Sequence, residues 1–473
     1  MNTIFIATEC FPFAKTSNMG DLVSILAKEI EKQGHNIKVF IPRYGCIDPG
    51  SFLIERIPYE FKVRLDHSLT PTSVFKGIIP NSLVSVYFIE SQTHFSNSKE
   101  IYLPSNNEKE ILERTRFFCL AILEVISKLK IKPDIIHFFN PQTSYISELL
   151  NSKNIEYSHL KKTKTVFTIE NLSGLNPNLI KTTKQAIVHS DFVTAVSKTY
   201  AYELLSDIQN IGLSDLLTKK KDSFCGILTG IDEEIYNPET DNTIAQIYSK
   251  NYFSIGKKRC KEDLLELLNL EKNLQIPLFG LISRLTIDSG VDLLIDSIPH
   301  IADLNLQLII QGKGDAIYEQ KLIKTARNYK NIKIINDDDH NLSKKIYSAC
   351  DFLICPSMYE PSGNSLLVGM KYGCVPVAYA IGAVKDIVID LSLIEEANGI
   401  TFKEYKKEDF LNAISIAMKC YKNKEKWPRI VKQAMNFDSS KLNSARKYIN
   451  CYEKILNTSE VSNANPVHEN VYQ

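Results

Sequence analysis

The run Pro356-Ser357-Met358-Tyr359-Glu360-Pro361-Ser362-Gly363-Asn364 follows an apolar stretch at 352–355 and carries a single carboxylate, Glu360. Such a stretch reads as a buried strand delivering Glu360 to a loop, after which Glu-Pro-x-Gly opens a helix that Tyr372-Gly373 closes. A glutamate held there accepts hydrogen bonds from sugar hydroxyls, and the helix start beside it offers N–H groups to a diphosphate. The plainer reading is that Glu360 caps its own helix. Arg284, directly after the apolar run 277–282, has the planar fork that grips a phosphate through two hydrogen bonds, or a neighbouring carboxylate equally well. Lys15 lies in the loop between the first apolar run and a helical pattern of Leu22, Ile25, Leu26 and Ile30. Loops at the carboxyl ends of parallel strands face ligands, although a loop lysine taken alone is a solvated surface residue. Gln311-Gly312-Lys313-Gly314-Asp315 also follows a strand, and ordinary turn geometry explains its glycines at least as well as a phosphate does.

Short apolar runs must position these groups. One series falls at 4–7, 37–41, 84–88, 135–138, 165–169 and 192–195, and a second at 277–282, 306–311, 332–335, 352–355 and 375–378, with amphipathic helical stretches between. This alternation predicts parallel α/β structure built from βαβ units, and two series predict two doubly wound sheets. A chain of 473 residues with 44% hydrophobic residues also exceeds what one core ordinarily supports. The Gly-, Asp- and Pro-bearing stretch 226–238 reads as a connector, with a hinge expected just beyond it at 238–275.

The 56 basic and 55 acidic side chains nearly cancel and form no long block, which excludes charge-driven binding to nucleic acid or an anionic membrane. Ten cysteines without C-x-x-C pairs argue against a zinc site and a disulfide scaffold. The N-terminal apolar run is too short for a signal peptide, and no segment reaches the ~18 apolar residues of a membrane span. The expectation is a cytoplasmic protein with a small or neutral ligand. Nothing in the sequence sets an oligomeric state.

The motifs together resemble the glycogen/starch synthases, which in bacteria use ADP-glucose to extend α-1,4-glucan. The family pattern E-x-x-P-x-x-K-x-G-G-L-G-D is met at Glu9, Pro12, Lys15, Gly20 and Asp21, and G-H-x-V-x-V-x-x-P-x-Y at Gly34, His35, Val39, Pro42 and Tyr44. Further matches run through Pro133-Asp134-Ile135-Ile136-His137, Phe167-Thr168-Ile169, Gly230-Ile231-Asp232, Ser283-Arg284-Leu285 and the Glu360 loop, covering about residues 1 to 455. The resemblance implies the GT-B fold, two Rossmann-like doubly wound α/β domains facing a central cleft. It places an acceptor-side domain at 1–240, a nucleotide-sugar domain at 241–430, a terminal helix at 431–457 that crosses back, and an unstructured tail at 458–473. It implies retaining glucosyl transfer from a nucleotide sugar, ADP-glucose, to an α-glucan, with no metal and no other cofactor. Carried over by position, Lys15 and Gly20 belong to the donor loop, Arg284 to the distal phosphate, Glu360 to the donor glucose, and the Gly382, Ala383 and Val384 backbone to the diphosphate. Lys15, Arg284 and Glu360 form the catalytic set, and His137, Glu170 and Asn171 stand where sugar or acceptor contacts are expected.

Several departures fall on those same motifs. The donor loop reads Lys15-Thr16-Ser17-Asn18-Met19-Gly20, with side chains at two glycine positions. The H-x-H-D-W-H segment reads His137-Phe138-Phe139-Asn140-Pro141-Gln142, and the histidine of F-T-I-H-N is Glu170. The phosphate lysine of S-R-L-x-x-Q-K-G is Ser289, beside an added Asp288, and Lys385 stands where the family usually has a small residue. A lost charge-assisted contact costs about 1.5–3 kcal/mol. The stretch between Asn171 and Lys184, on the acceptor side, is short for the family. Two other readings accommodate these changes: a transferase for another nucleotide sugar, and a chain that binds glucan or a partner synthase without turnover.

Overall fold

The computed structural model describes residues 1–103, 107–152, 155–206, 212–392 and 396–463. The chain divides into two compact units, Met1–Thr229 with Lys441–Gln473, and Gly230–Ser440. The first passage between them therefore falls at 229/230, within the expected connector, and residues 238–275 lie inside the second unit. Residues 230–240 and 431–440 likewise belong to the second unit.

Among the described residues the first unit is built on ten strands: β1 (Asn2–Ile6), β2 (Asn36–Pro42), β3 (Glu55–Arg56), β4 (Phe61–Leu65), β5 (Ser68–Ile78), β6 (Ser85–Glu90), β7 (Ile135–Phe139), β8 (Lys164–Ile169), β9 (Phe192–Ala195) and β10 (Phe224–Gly226). Their order is β10-β9-β8-β7-β1-β2-β6-β5-β3, with β4 paired to β5. Pairing is parallel from β10 to β6 and antiparallel among β3, β4, β5 and β6. The antiparallel edge was absent from the expected parallel series, and β4 shows its character. Phe61, Val63 and Leu65 are buried while Lys62 and Arg64 between them are exposed, a period of two that puts one face on the core and one in water.

The second unit holds β11 (Leu278–Ile282), β12 (Gln307–Gln311), β13 (Ile332–Ile335), β14 (Phe352–Cys355), β15 (Val375–Tyr379) and β16 (Ile400–Phe402), ordered β13-β12-β11-β14-β15-β16 and parallel throughout. Every residue of β12 and β14 is buried, as helices on both faces of a parallel sheet require. The sheet order reverses direction between β11 and β14, the arrangement that in doubly wound folds places ligands at the strands' carboxyl ends.

The terminal helix, Lys441–Asn463, belongs to the first unit. Lys441 pairs with Glu29 at 3.4 Å, and the Ser444 hydroxyl donates to the Leu228 carbonyl at 2.6 Å. Helix persists to Asn463, past the start of the tail expected at 458, and residues 464–473 lie outside the described residues. No helix among the described residues is long and apolar enough to cross a membrane.

Candidate active site

In the second unit, three loops meet at the carboxyl ends of β11, β14 and β15. The turn after Arg284 packs on the loop after β14: the Met358 N–H donates to the Asp288 carbonyl at 3.0 Å, and a Cβ at Gly290 would lie 2.2 Å from the Pro356 carbonyl oxygen. Gly290 has φ +74, so both its backbone and its space demand glycine. The turn after β15 packs on the same loop from the other side. Ala383 N–H donates to the Glu360 carbonyl at 2.8 Å, and a Cβ at Gly382 would lie 2.3 Å from that oxygen. The loops that carry Arg284, Glu360 and the 382–384 turn, far apart in sequence, thus converge.

Glu360 is half-buried. Its Oε1 accepts the Gly363 N–H at 3.0 Å and its Oε2 accepts the Cys355 thiol at 3.5 Å. The capping reading therefore holds for one carboxylate oxygen. Burial pushes the carboxyl up from its ordinary range, against the pull of these hydrogen bonds. Arg284 is exposed and its guanidinium has no hydrogen-bond or ion-pair partner among the described residues. The Ser289 hydroxyl is tied to Thr286 at 3.1 Å.

The backbone expected to cradle a diphosphate is partly committed elsewhere. Ala383 N–H is held by the Glu360 carbonyl and Val384 N–H donates to the Ile381 carbonyl at 3.0 Å, so two of the three amides at 382–384 are already bonded, one across to the neighbouring loop and one within its own turn. The glycines at 312 and 314 have a packing reason too: a Cβ would meet the carbonyls of Ser283 and Leu285 at 1.8 and 2.3 Å.

In the first unit, the loop after β1 is organised by Glu9, which is fully buried. Its carboxylate accepts Thr16 N–H at 2.6 Å, Ser17 N–H at 2.9 Å, the Ser17 hydroxyl at 2.7 Å and the Tyr102 hydroxyl at 2.6 Å. Ser17 has φ −137, an extended conformation open to any residue, and its hydroxyl also caps the helix Asn18–Lys32 by accepting Met19 N–H. A side chain at this position leaves the loop intact. Gly20 is buried, with the Ala14 carbonyl and the Lys15 stem 3.2 Å from the place of a Cβ. Lys15 pairs with Asp21 at 2.6 Å.

Asn140 and Glu170 form one unit. Asn140 Oδ1 accepts the N–H groups of Glu170 and Asn171 at 3.0 and 3.2 Å, while its Nδ2 donates to Glu170 Oε2 at 3.2 Å. An aspartate at 140 would accept the same two amides but would set a second carboxylate against Glu170. The two departures from the family pattern, at 140 and 170, therefore meet in one hydrogen-bonded pair. Asn140 holds this position with φ +65 and ψ 164, a conformation nearly reserved for glycine and tolerated where surrounding bonds enforce it. Asn171 turns its Oδ1 to the Ser173 N–H at 2.7 Å.

His137 is placed differently from expectation. It is fully buried, with Nδ1 on the Tyr452 hydroxyl and Nε2 on the Thr168 hydroxyl, both at 2.6 Å, and burial pushes its pKa well down. Both ring nitrogens are engaged in holding the terminal helix to β7 and β8, so the ring is an anchor rather than a sugar contact. Sequence reading passed over Tyr102 and the bridging role of Asn140, because neither a partner 93 residues away nor a positive φ leaves a local signal.

A cavity of about 180 Å³ opens in the first unit, lined by Tyr44, Tyr102, Arg114, Phe118, Gln142 and Asn176 among others. Arg114 Nε and Nη1 and Gln142 Oε1 are buried without hydrogen-bond partners among the described residues. No cluster of three or more metal-ligating side chains occurs among the described residues.

Comparison with known proteins gives this geometry a context. The family profile of the starch synthase catalytic domain matches residues 2–219, and that of glycosyl transferases group 1 matches 269–434. Glycogen synthase from Geotalea daltonii is 32% identical over 485 residues, covering 96% of this chain and 99% of its own. The chain belongs to the glycogen/starch synthase family. The glycogen synthase of Thermotoga maritima is likewise 32% identical, over 96% of this chain and 99% of its own. Among solved structures, the catalytic domain of starch synthase IV from Arabidopsis thaliana, bound to ADP and acarbose, superposes with a TM-score of 0.88 at 27% identity, covering 96% of this chain and 99% of that one. The fold is the GT-B fold of starch synthases and the chain is a glycosyltransferase of the hexosyl-transferring class.

Proposed function

We propose that this glycogen synthase homologue transfers glucose from ADP-glucose to the 4-hydroxyl at the non-reducing end of an α-1,4-glucan, with retention. The observation that carries the reading is the convergence of Arg284, Glu360 and the Gly382 turn at the ends of three parallel strands. The bond from the anomeric carbon to the diphosphate oxygen breaks, ADP departs with the electron pair, and the anomeric carbon bonds the acceptor oxygen as that hydroxyl passes its proton to the departing diphosphate. Cationic groups at the diphosphate lower the barrier because negative charge grows there in the transition state. Arg284 supplies one such group, and Glu360 accepts hydrogen bonds from the donor glucose. In the first unit, the cavity beside Tyr44, Tyr102 and Phe118 offers ring faces and unpartnered polar atoms suited to a sugar of the acceptor. The 27%-identical relative bound to ADP and acarbose supports both ligand classes.

One observation favours a chain that binds glucan without turnover: position 289 offers a hydroxyl already tied to Thr286 where a cation would serve the leaving group. A single assay separates the readings. Purified protein is given glycogen and radiolabelled ADP-glucose or UDP-glucose beside a Glu360→Ala control. Incorporation above the control, with ADP-glucose preferred, is the expected result; label at the control level with both donors overturns glucosyl transfer.

A further inference from the structure

We propose that Lys385 is a catalytic residue of the second unit, contacting the diphosphate of the nucleotide-sugar donor as a second cation opposite Arg284. This rests on the donor reading above. The charged side chains on the three converging loops are Arg284 and Asp288 on the first, Glu360 on the second, and Lys385 and Asp386 on the third. A diphosphate entering this setting meets three carboxylates, so it depends on whatever positive groups the loops present. The backbone contributes little at the third loop, because Ala383 and Val384 N–H groups are held by the Glu360 and Ile381 carbonyls. The Ser289 hydroxyl is turned to Thr286. Among the side chains of these loops the cations are Arg284 and Lys385.

Lys385 fits the role in three respects. It follows directly on the turn whose Gly382 lies against the Glu360 carbonyl, so its backbone is fixed relative to the carboxylate loop. It is exposed, and its ammonium has no hydrogen-bond or ion-pair partner among the described residues. Four carbons of flexible stem let the charge follow a leaving group that shifts as its bond breaks.

The test measures ADP and UDP binding by calorimetry and glucosyl transfer for the full-length wild type, Lys385→Ala, Lys385→Gln, Lys385→Arg and the double variant Lys385→Ala/Ser289→Lys, with thermal melts as a folding control. Loss of a charge-assisted contact predicts ADP binding weaker by about ten-fold or more in the Ala and Gln variants, with a matching fall in kcat/KM for the donor. Lys385→Arg keeps most of the affinity because it keeps the charge. Ser289→Lys restores binding in the double variant by returning an ammonium to the facing turn. ADP affinity and transfer unchanged in Lys385→Ala and Lys385→Gln overturn the proposal and leave glucosyl transfer standing. Failure of the wild type to bind either ADP or UDP overturns the donor reading, and the role of Lys385 with it.

Discussion

The candidate-site cations of the two units are held in opposite ways. In the first, Lys15 is paired with Asp21 at 2.6 Å, and the loop around it is fastened by three hydrogen bonds to a buried Glu9 that the Tyr102 hydroxyl also holds. In the second, Arg284 and Lys385 are exposed and unpaired among the described residues, on loops whose backbones are locked against one another. A fixed backbone bearing uncommitted charge is a site prepared for an anion, since no ion pair has to break on binding. A lysine already neutralised serves first to hold its own loop. Departures from the family pattern follow the same division: those at Ser17, Asn140 and Glu170 in the first unit are absorbed by side-chain hydrogen bonds, whereas the one at Ser289 removes charge that only another residue restores.

The contrast is sharpest between Arg284→Ala and Lys15→Ala. Removing a group that acts on transition-state charge lowers rate by about 10²–10³. Arg284→Ala is expected to show that loss in kcat for glucosyl transfer, with little change in melting temperature because its guanidinium supports nothing else. Lys15→Ala should lose less activity and more stability, as Asp21, 8% exposed, loses the Lys15 ammonium. Equal losses in both variants would break the distinction.

His137 tests the first unit's inward commitment. Replacing it with alanine removes a buried ring and strands the Tyr452 hydroxyl, while Thr168 keeps its bond to the Thr194 hydroxyl, which predicts a loss of about 3 kcal/mol in denaturant unfolding. The donor KM of the folded fraction should stay at the wild-type value. The pH dependence has a definite sign. A histidine kept neutral in the fold but free to protonate when unfolded lowers stability as pH falls below its ordinary value of 6.5, because the unfolded chain binds the proton first. Wild-type stability should therefore decline below that pH, and His137→Phe should flatten the decline.

Much of the framework was legible because parallel strands buried on both faces are continuous apolar runs. All eleven expected runs fall on strands, from β1 to β15. The unread strands are of other kinds: β4 and β5 alternate, while β3, β10 and β16 are two or three residues long. Motif position located Arg284, Glu360 and Gly382, and the structure brings them together. It could not tell how each polar atom is committed. His137 stands in a matching motif yet points into the core, and the amides of Ala383 and Val384 are closed by carbonyls that no local pattern reveals. Commitment depends on contacts between distant segments, which spacing does not encode.

The Asn140 and Glu170 pair offers a smaller, pH-dependent effect. Asn140→Asp removes the Nδ2 donor and brings two carboxylates together, predicting a loss of about 2 kcal/mol near neutral pH. Repulsion raises the pair's proton affinity in the fold, so the folded variant holds a proton that the unfolded chain releases. Its deficit relative to wild type then grows as pH rises and shrinks toward acid. Adding Glu170→His to Asn140→Asp should recover most of the loss at neutral pH. A deficit independent of pH, or no recovery in the double variant, would show that the two residues do not act together.

Ser17 should give the smallest effect and the most direct view of how the first unit absorbs change. Its hydroxyl both caps the helix Asn18–Lys32 and donates to Glu9, so Ser17→Ala loses a cap and one bond, about 1 kcal/mol. Ser17→Gly restores the family's residue, yet the backbone here is extended and asks for no glycine, and glycine at a cap costs only a few tenths of a kcal/mol relative to serine. Glucosyl transfer by Ser17→Gly should therefore stay close to wild type. A large gain in activity on restoring glycine would mean that the side chain obstructs the donor. The first unit would then have kept its loop in shape at the expense of what the loop binds.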